Sequence, residues 1–184
     1  MNPLLNGEAL ALVRGGRLLF EGLDLKLMAG EALHLVGPNG SGKSSLIRLV
    51  AGLLKPNSGR ITRAASALAD EGLALDRELS LGRALAFWKG PKLGEAMAAF
   101  HLEELAHVPV RLLSTGQSKR ARLARVMASG APLWLLDEPL NGLDHASISR
   151  LDETIAAHRA SGGAVLAASH VPLAGEWRML ELGR

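Results

Sequence analysis

The chain has 184 residues, the size of one domain with a substantial core. It contains no cysteine, which excludes disulfides, thiolate metal sites and thiol catalysis. Net charge is only +3, and no uncharged stretch reaches the roughly 20 apolar residues of a membrane-spanning helix. Glu8 and Arg14 interrupt any apolar core of a secretory signal, so we expect a soluble, cytoplasmic, single-domain protein.

The first thirty residues predict short antiparallel strands. Residues 10–13 and 18–20 are apolar runs on either side of Gly15-Gly16, which is the pattern of a β-hairpin. Residues 23–27 alternate between leucine and polar side chains, which indicates another short strand.

A glycine-rich stretch carries the strongest chemical signal. Residues 37–44 match G-x-x-x-x-G-K-[ST], with a strand-like run before them and helical spacing to about residue 53 after them. Such a loop points backbone N–H groups at a phosphate, while Lys43 adds positive charge and Ser44 a hard oxygen ligand for Mg²⁺. A chance glycine-rich turn is the alternative, and the strand–loop–helix order disfavours it. The predicted nucleotide contacts are Gly37, Pro38, Asn39, Gly40, Ser41, Gly42, Lys43, Ser44 and Ser45.

The middle of the chain predicts a helical lobe inserted into the nucleotide-binding core. Weak strand patterns occur at 60–62 and 66–69, and helical spacing follows. We place the core at about 1–69 and 119–184 and the lobe at about 70–118, with Ser114 as N-cap of a helix to about residue 127. The apolar residues expected in the core of the lobe are Leu81, Leu85, Trp88, Met97, Phe100 and Leu105.

A basic cluster lies at the start of the second core segment, which begins at about residue 119. Lys119, Arg120, Arg122 and Arg125 alternate with apolar residues, so they predict the polar face of an amphipathic helix. A nucleic-acid patch is the alternative, and the scarcity of aromatic residues for base stacking disfavours it. We expect no direct contact with nucleic acid.

A second apolar run, residues 133–136, ends in two adjacent carboxylates. In a nucleotidase, the first acid, here Asp137, holds Mg²⁺ together with Ser44. The second acid, Glu138, orients and deprotonates the attacking water. A solvated acidic turn is the alternative, which the phosphate loop makes less favourable.

The last third predicts a turn at 139–142 leading to Asp144, a helix over about 147–159 and a buried strand at 164–168. Ligands of parallel sheets sit beyond the carboxyl ends of the strands, so His170 is predicted to contact the γ-phosphate as a catalytic residue. The histidines without ligand-like spacing, expected to be structural or solvated, are His34, His101, His107, His145 and His158.

Over essentially the whole chain, this series of motifs resembles that of ATP-binding cassette (ABC) ATPases. The resemblance implies an α/β, P-loop ABC-type fold, with a mainly parallel sheet flanked by helices, a small N-terminal antiparallel part and the inserted lobe. It also implies ATP and Mg²⁺ as cofactors and a homodimer in the ATP-bound state. The resemblance adds Asp144 to the predicted nucleotide contacts. It also adds the signature segment (residues 114–117), which would contact the nucleotide of the partner subunit. The residues of this segment are Ser114, Thr115, Gly116 and Gln117.

Residues 109–114, 133–139 and 162–173 further resemble the ATP-binding subunit of the haem exporter of cytochrome c maturation. That resemblance implies integral membrane transporter subunits as partners and a peripheral position on the cytoplasmic face of the inner membrane. It also implies that partners, rather than this chain, handle haem. The alternatives are a subunit of another ABC transporter, a soluble non-transport ABC ATPase acting on nucleic acid or ribosomes, and a nucleotide switch with negligible turnover.

Two positions depart from the family pattern. Where most members stack adenine on an aromatic ring, this chain has Arg14, which predicts loose base selectivity. Its single glutamine is Gln117, so the loop at 69–72 offers Asp70 and Glu71 where a glutamine is usual. We expect these carboxylates to change the Mg²⁺ dependence.

Overall fold

Eight strands and five α-helices make up the structure, a computed structural model that describes residues 2–72, 74–88 and 90–183. The strands are β1 Leu5–Arg14, β2 Arg17–Leu27, β3 Ala32–Val36, β4 Ser58–Arg63, β5 Ser66–Ala69, β6 Leu133–Asp137, β7 Ala164–Ala168 and β8 Arg178–Glu181. The helices are α1 Lys43–Val50, α2 Leu81–Ala86, α3 Leu93–Ala99, α4 Thr115–Ala128 and α5 His145–Ala160. Short 3₁₀ turns occur at Glu103–Leu105 and Val110–Leu112.

A parallel sheet in the order β5-β6-β7-β3-β8 forms the centre of the molecule. Every residue of β6 and β7 is buried, because helices cover both faces of the sheet. The carboxyl ends of the strands lie along one edge, which brings the end of β3 close to the ends of β6 and β7. The sheet confirms the predicted fold class.

The N-terminal sheet has the order β2-β1-β4 and is antiparallel. The predicted hairpin turn is present: Gly15 and Gly16 have φ of 56° and 76°, the conformation of a tight two-residue turn. The segment 23–27 was predicted to be a separate strand, but it is the second half of β2, which pairs with β1 from Leu5↔Leu27 to Arg14↔Arg17 with irregularities in register.

Three predicted helical features are wrong in detail. Helix α1 ends at Val50 rather than near residue 53, because the N–H of Leu53 turns back to the carbonyl of Arg48 at 2.9 Å and closes the helix. Residues 70–80, apart from Leu73, which lies outside the described residues, contain no helix. Trp88 follows the end of α2 and is 45% exposed, with the Arg125 guanidinium 4.8 Å from the ring centre. Leu81, Leu85, Met97 and Phe100 are buried as expected.

Helix α4 does not present all of its cations to solvent. Arg122 donates to the backbone carbonyl of Asp70 and Arg125 to that of Leu68, so both guanidinium groups fasten the end of β5 and the loop after it. Burial lowers the pKa of both side chains. These two members of the basic cluster therefore have structural partners.

Strand β8 has no counterpart among the predicted elements. It pairs in parallel with β3, the strand that leads into the phosphate loop. Its four residues include Arg178, Met179 and Glu181, all exposed, so the segment lacks the apolar run that marks a buried strand. Among the described helices, none combines the length and the apolar character that a membrane span requires.

Candidate active site

The phosphate loop lies between β3 and α1, as its sequence pattern predicts. Gly37 has a φ of 141°, and a Cβ built on it would lie 2.2 Å from the carbonyl oxygen of Leu182. A side chain is therefore excluded at Gly37. The loop ends at Lys43, the first residue of α1, so the helix N-terminus points at the site.

Lys43 lies folded within the loop itself. Its residue is only 6% exposed, and its ammonium donates to the carbonyls of Gly37 at 2.7 Å and Pro38 at 3.1 Å. These backbone partners hold the cation at the centre of the loop, where phosphate oxygens would compete for its donors.

Ser44 and Asp137 meet across the sheet edge. The Ser44 hydroxyl donates to the Asp137 carboxylate at 3.0 Å, which joins the start of α1 to the end of β6. Asp137 is 8% exposed, and burial raises the pKa of its carboxyl above the usual range even though the bond from Ser44 opposes this shift. Two adjacent hard oxygens, one of them a poorly solvated carboxylate, fit a divalent cation.

Glu138 is held at the mouth of the site by an unusual backbone. Its φ is 50°, a conformation rare for a residue other than glycine, and its N–H donates to Ala168 at 2.9 Å. This turn brings the carboxylate against His170: its oxygens lie 3.4 Å from the backbone N and 3.4 Å from Nε2. The ends of β6 and β7 thus bring together the two predicted catalytic residues.

An open cleft of about 620 Å³ connects the phosphate loop with the tip of the β1–β2 hairpin. It contains Lys43, Ser44, Glu138 and His170, which the sequence identified. Three further lining residues were missed: Gly15, Leu19 and Asn141. Of these, Asn141 gave a usable signal, because a polar residue in the turn after Glu138 belongs to the same sheet edge.

The two departures from the family pattern reach the cleft differently. Arg14 lines it, and its guanidinium donates to the Ser45 hydroxyl at 3.4 Å. Glu71 also lines it, whereas Asp70 turns to Arg48 at 3.7 Å and accepts from the N–H of Gly72 at 3.1 Å. Of the two carboxylates, Glu71 is therefore the one that faces the nucleotide site.

The signature segment lies outside this cleft. Ser114 caps α4, accepting from the N–H of Gln117 at 3.2 Å, and the Gln117 side chain accepts from the N–H of Ser114 at 2.8 Å. Ser114 and Thr115 are exposed, and a Cβ on Gly116 would meet nothing within 4 Å. The segment is thus a preformed, uncovered helix N-terminus.

Asp144 is likewise absent from the cleft lining. It is the N-cap of α5 and accepts from the N–H of Ser147 at 2.7 Å. Hydrogen bonding with Ser147 lowers the pKa of its carboxyl. The structure gives Asp144 a capping role, and its nucleotide contact stays a prediction.

The chain is similar to proteins of known families. A family model described as "ABC transporter" matches residues 20–141. The "Cytochrome c biogenesis ATP-binding export protein CcmA" of Sphingopyxis alaskensis is 56% identical over 181 residues, covering 95% of this chain and 93% of that protein. The protein of the same name from Novosphingobium aromaticivorans is 59% identical over 167 residues, covering 90% and 87%.

Solved structures of ABC transporter proteins have the same fold as this chain. One described as "Structure of ATP binding subunit of ABC transporter" superposes with a TM-score of 0.85 at 25% identity, covering 97% of this chain and 85% of that chain. Another, a putative metal-chelate type ABC transporter in an inward-facing conformation, gives a TM-score of 0.84 at 25% identity, covering 100% and 80%.

Proposed function

This chain belongs to the ABC transporter family and is an ATP-hydrolysing subunit of such a transporter; from that premise we propose that it powers haem export for cytochrome c biogenesis. The observation that carries the hydrolytic role is the contact between Glu138 and His170 in the cleft that Lys43 lines. The pathway rests on the 56% identity to a protein named for cytochrome c biogenesis.

The proposed chemistry uses the residues that meet at the sheet edge. Lys43 would bind the β- and γ-phosphates, and Glu138 would orient the attacking water and accept its proton. His170 would fix the Glu138 carboxylate and contact the γ-phosphate. Ser44 and Asp137 would hold Mg²⁺, whose charge would stabilise the phosphates during transfer.

We propose that the complete site needs a second copy of this chain. The signature segment is an exposed N-terminus of a 14-residue helix, and such ends bind anions through free N–H groups and the helix dipole. Because none of its residues lines the cleft of its own chain, the phosphate that it binds would belong to the partner's nucleotide. A two-fold dimer then contains two composite sites.

Mixing two inactive variants tests this arrangement. Lys43→Ala removes the positive charge that would bind the phosphates. Ser114→Asp keeps a good N-cap but places a negative charge beside the partner's phosphate. Each variant alone should lose ATP turnover. An equal mixture should regain about a quarter of the wild-type rate, because half the dimers are mixed and half of their sites are intact. A mixture no faster than its two components would rule out the composite site.

As a transporter subunit, the chain works with membrane subunits, and we propose that they dock on the lobe at Phe87 and Trp88. The chain has three Phe and three Trp, yet these two neighbours are 73% and 45% exposed. They line a mainly apolar groove of about 160 Å³ with Ala74, Asp76, Leu79 and Ala84. Exposed aromatics beside an apolar groove are typical of interface hot spots, and one large apolar side chain from a membrane-subunit helix would fit a groove of this size.

Replacing Phe87 tests the docking surface. Phe87→Ser should weaken binding of the detergent-solubilised membrane subunits at least about thirtyfold, the scale of losing a hot-spot aromatic. Leu53→Ser is the matched control, because Leu53 is also exposed (63%) but lies after α1, outside the lobe. Equal recovery of the membrane subunits with wild-type and Phe87→Ser chains would rule out this surface.

The proposed location is peripheral, on the cytoplasmic face of the inner membrane, with haem bound by the membrane partners. We propose that this chain supplies the mechanical step of transport and that its partners provide the cargo site.

A further inference from the structure

The end of β8 is bonded to the strand that delivers the phosphate loop. Strand β8 pairs with β3 from Leu33↔Arg178 to Val36↔Glu181, and the N–H of Leu182 continues the ladder by donating to Val36 at 2.9 Å. Pairing therefore stops where the phosphate loop begins, and Leu182 and Gly183 follow the loop rather than the sheet. We call residues 178–183 the C-terminal brace.

The brace touches the loop backbone to backbone. A Cβ built on Gly37 would lie 2.2 Å from the carbonyl oxygen of Leu182, so this oxygen fills the space that a side chain would need. Gly183 has a φ of 93°, and a Cβ on it would lie 2.9 Å from Cβ of Ser41 and 3.6 Å from the Pro38 ring. The last two residues of the brace, Leu182 and Gly183, thus lie in direct contact with the phosphate loop.

This contact excludes solvent. Leu182 is 3% exposed and Ser41 5% exposed. The Ser41 hydroxyl is buried, with no hydrogen-bond partner in the described part of the chain. The Ser41 side chain is therefore packed against the brace, while its backbone N–H donates to the Pro38 carbonyl at 3.2 Å.

We infer that the C-terminal brace positions the phosphate loop for nucleotide binding and that Gly183 is a positioning residue of this site. The loop binds phosphate through converging N–H groups, and misplacement by about 1 Å can cost about a hundredfold in function. A Cβ at Gly183 would push on Ser41 from behind, in the middle of the loop. The inference rests on the proposed nucleotide site and adds an element, β8, that the proposed function does not use.

Two alanine substitutions separate positioning from general backbone strain. Gly183→Ala should weaken binding of ATP and of inorganic tripolyphosphate at least about tenfold, because the loop must shift. Gly175→Ala is the matched control: its φ is 88°, so the strain is similar, but a Cβ there meets nothing within 4 Å. This control should bind both probes within about twofold of the wild-type chain, although its melting temperature falls.

A double variant tests the contact itself. In a Ser41→Gly background the opposing Cβ is absent, so the same Gly183→Ala change should alter the Kd for tripolyphosphate less than about twofold. Wild-type affinity in Gly183→Ala would overturn the inference. So would equal weakening by Gly175→Ala, or the same loss in the Ser41→Gly background.

Hydrogen exchange covers the case in which Gly183→Ala does not fold. Coupling between sites is reciprocal, so ATP bound to the wild-type chain should slow exchange of the Leu182 amide. Unchanged exchange at saturating ATP would overturn the inference. Failure of the wild-type chain to bind ATP would instead contradict the proposed function, so the two failures are distinguishable.

Discussion

Glu138→Gln should bind ATP about as tightly as the wild-type chain and hydrolyse it at least about a hundredfold more slowly, the scale of losing a general base. The amide keeps the size and the hydrogen-bonding reach of the carboxylate, so the contacts with His170 survive. It cannot accept a proton from water. Single-turnover hydrolysis and equilibrium ATP binding measure the two effects separately.

A matched control for this substitution is Glu153→Gln, the same chemical change at an exposed position of α5. It should leave both affinity and turnover close to the wild-type values. Turnover in Glu138→Gln within about threefold of the wild-type rate would remove Glu138 from the role of general base.

Local sequence patterns were sufficient for the centre of the site. The phosphate loop was predicted because its glycines, Lys43 and Ser44 have a fixed spacing between a strand and a helix. Asp137 and Glu138 were predicted because the apolar strand that ends in these two carboxylates accompanies a phosphate loop in the same chain, and the structure places Ser44 against the first. The ABC family was inferred from the whole series of motifs, and its cytochrome c biogenesis branch from residues 109–114, 133–139 and 162–173. Both are confirmed by the comparisons.

Pairing between strands that are far apart in the sequence could not be predicted. Strand β8 is held by β3, which lies more than 140 residues before it, and nothing in its four residues predicts that partner. The packing of Leu182, the residue after β8, against Gly37 could therefore not be predicted from the sequence, although Gly37 itself was identified. Local sequence patterns do not reveal which distant backbone segment fills the space beside a glycine.

Side-chain direction in loops was also unpredictable. Asp70 and Glu71 are adjacent carboxylates, and only their surroundings decide that Asp70 turns to Arg48 while Glu71 faces the cleft. Trp88 followed the helical spacing of Leu81 and Leu85, but α2 ends two residues earlier, so its ring lies on the surface. Helix ends depend on local backbone hydrogen bonds that periodicity does not encode.

The central claim, that ATP hydrolysis by this chain serves cytochrome c biogenesis, predicts complete loss of a cellular product. A strain of the source organism without this coding sequence should make no haem-stained c-type cytochromes. The reason is that the export of haem would lack its ATP-driven step.

The most direct test is haem staining of c-type cytochromes in that strain. The strain is complemented with wild-type or Glu138→Gln chains at equal levels. We predict that the wild-type chain restores the stained bands and that Glu138→Gln, which binds ATP but does not hydrolyse it, leaves them absent. Normal c-type cytochromes in the uncomplemented strain would contradict the pathway. Full restoration by Glu138→Gln would contradict the requirement for hydrolysis.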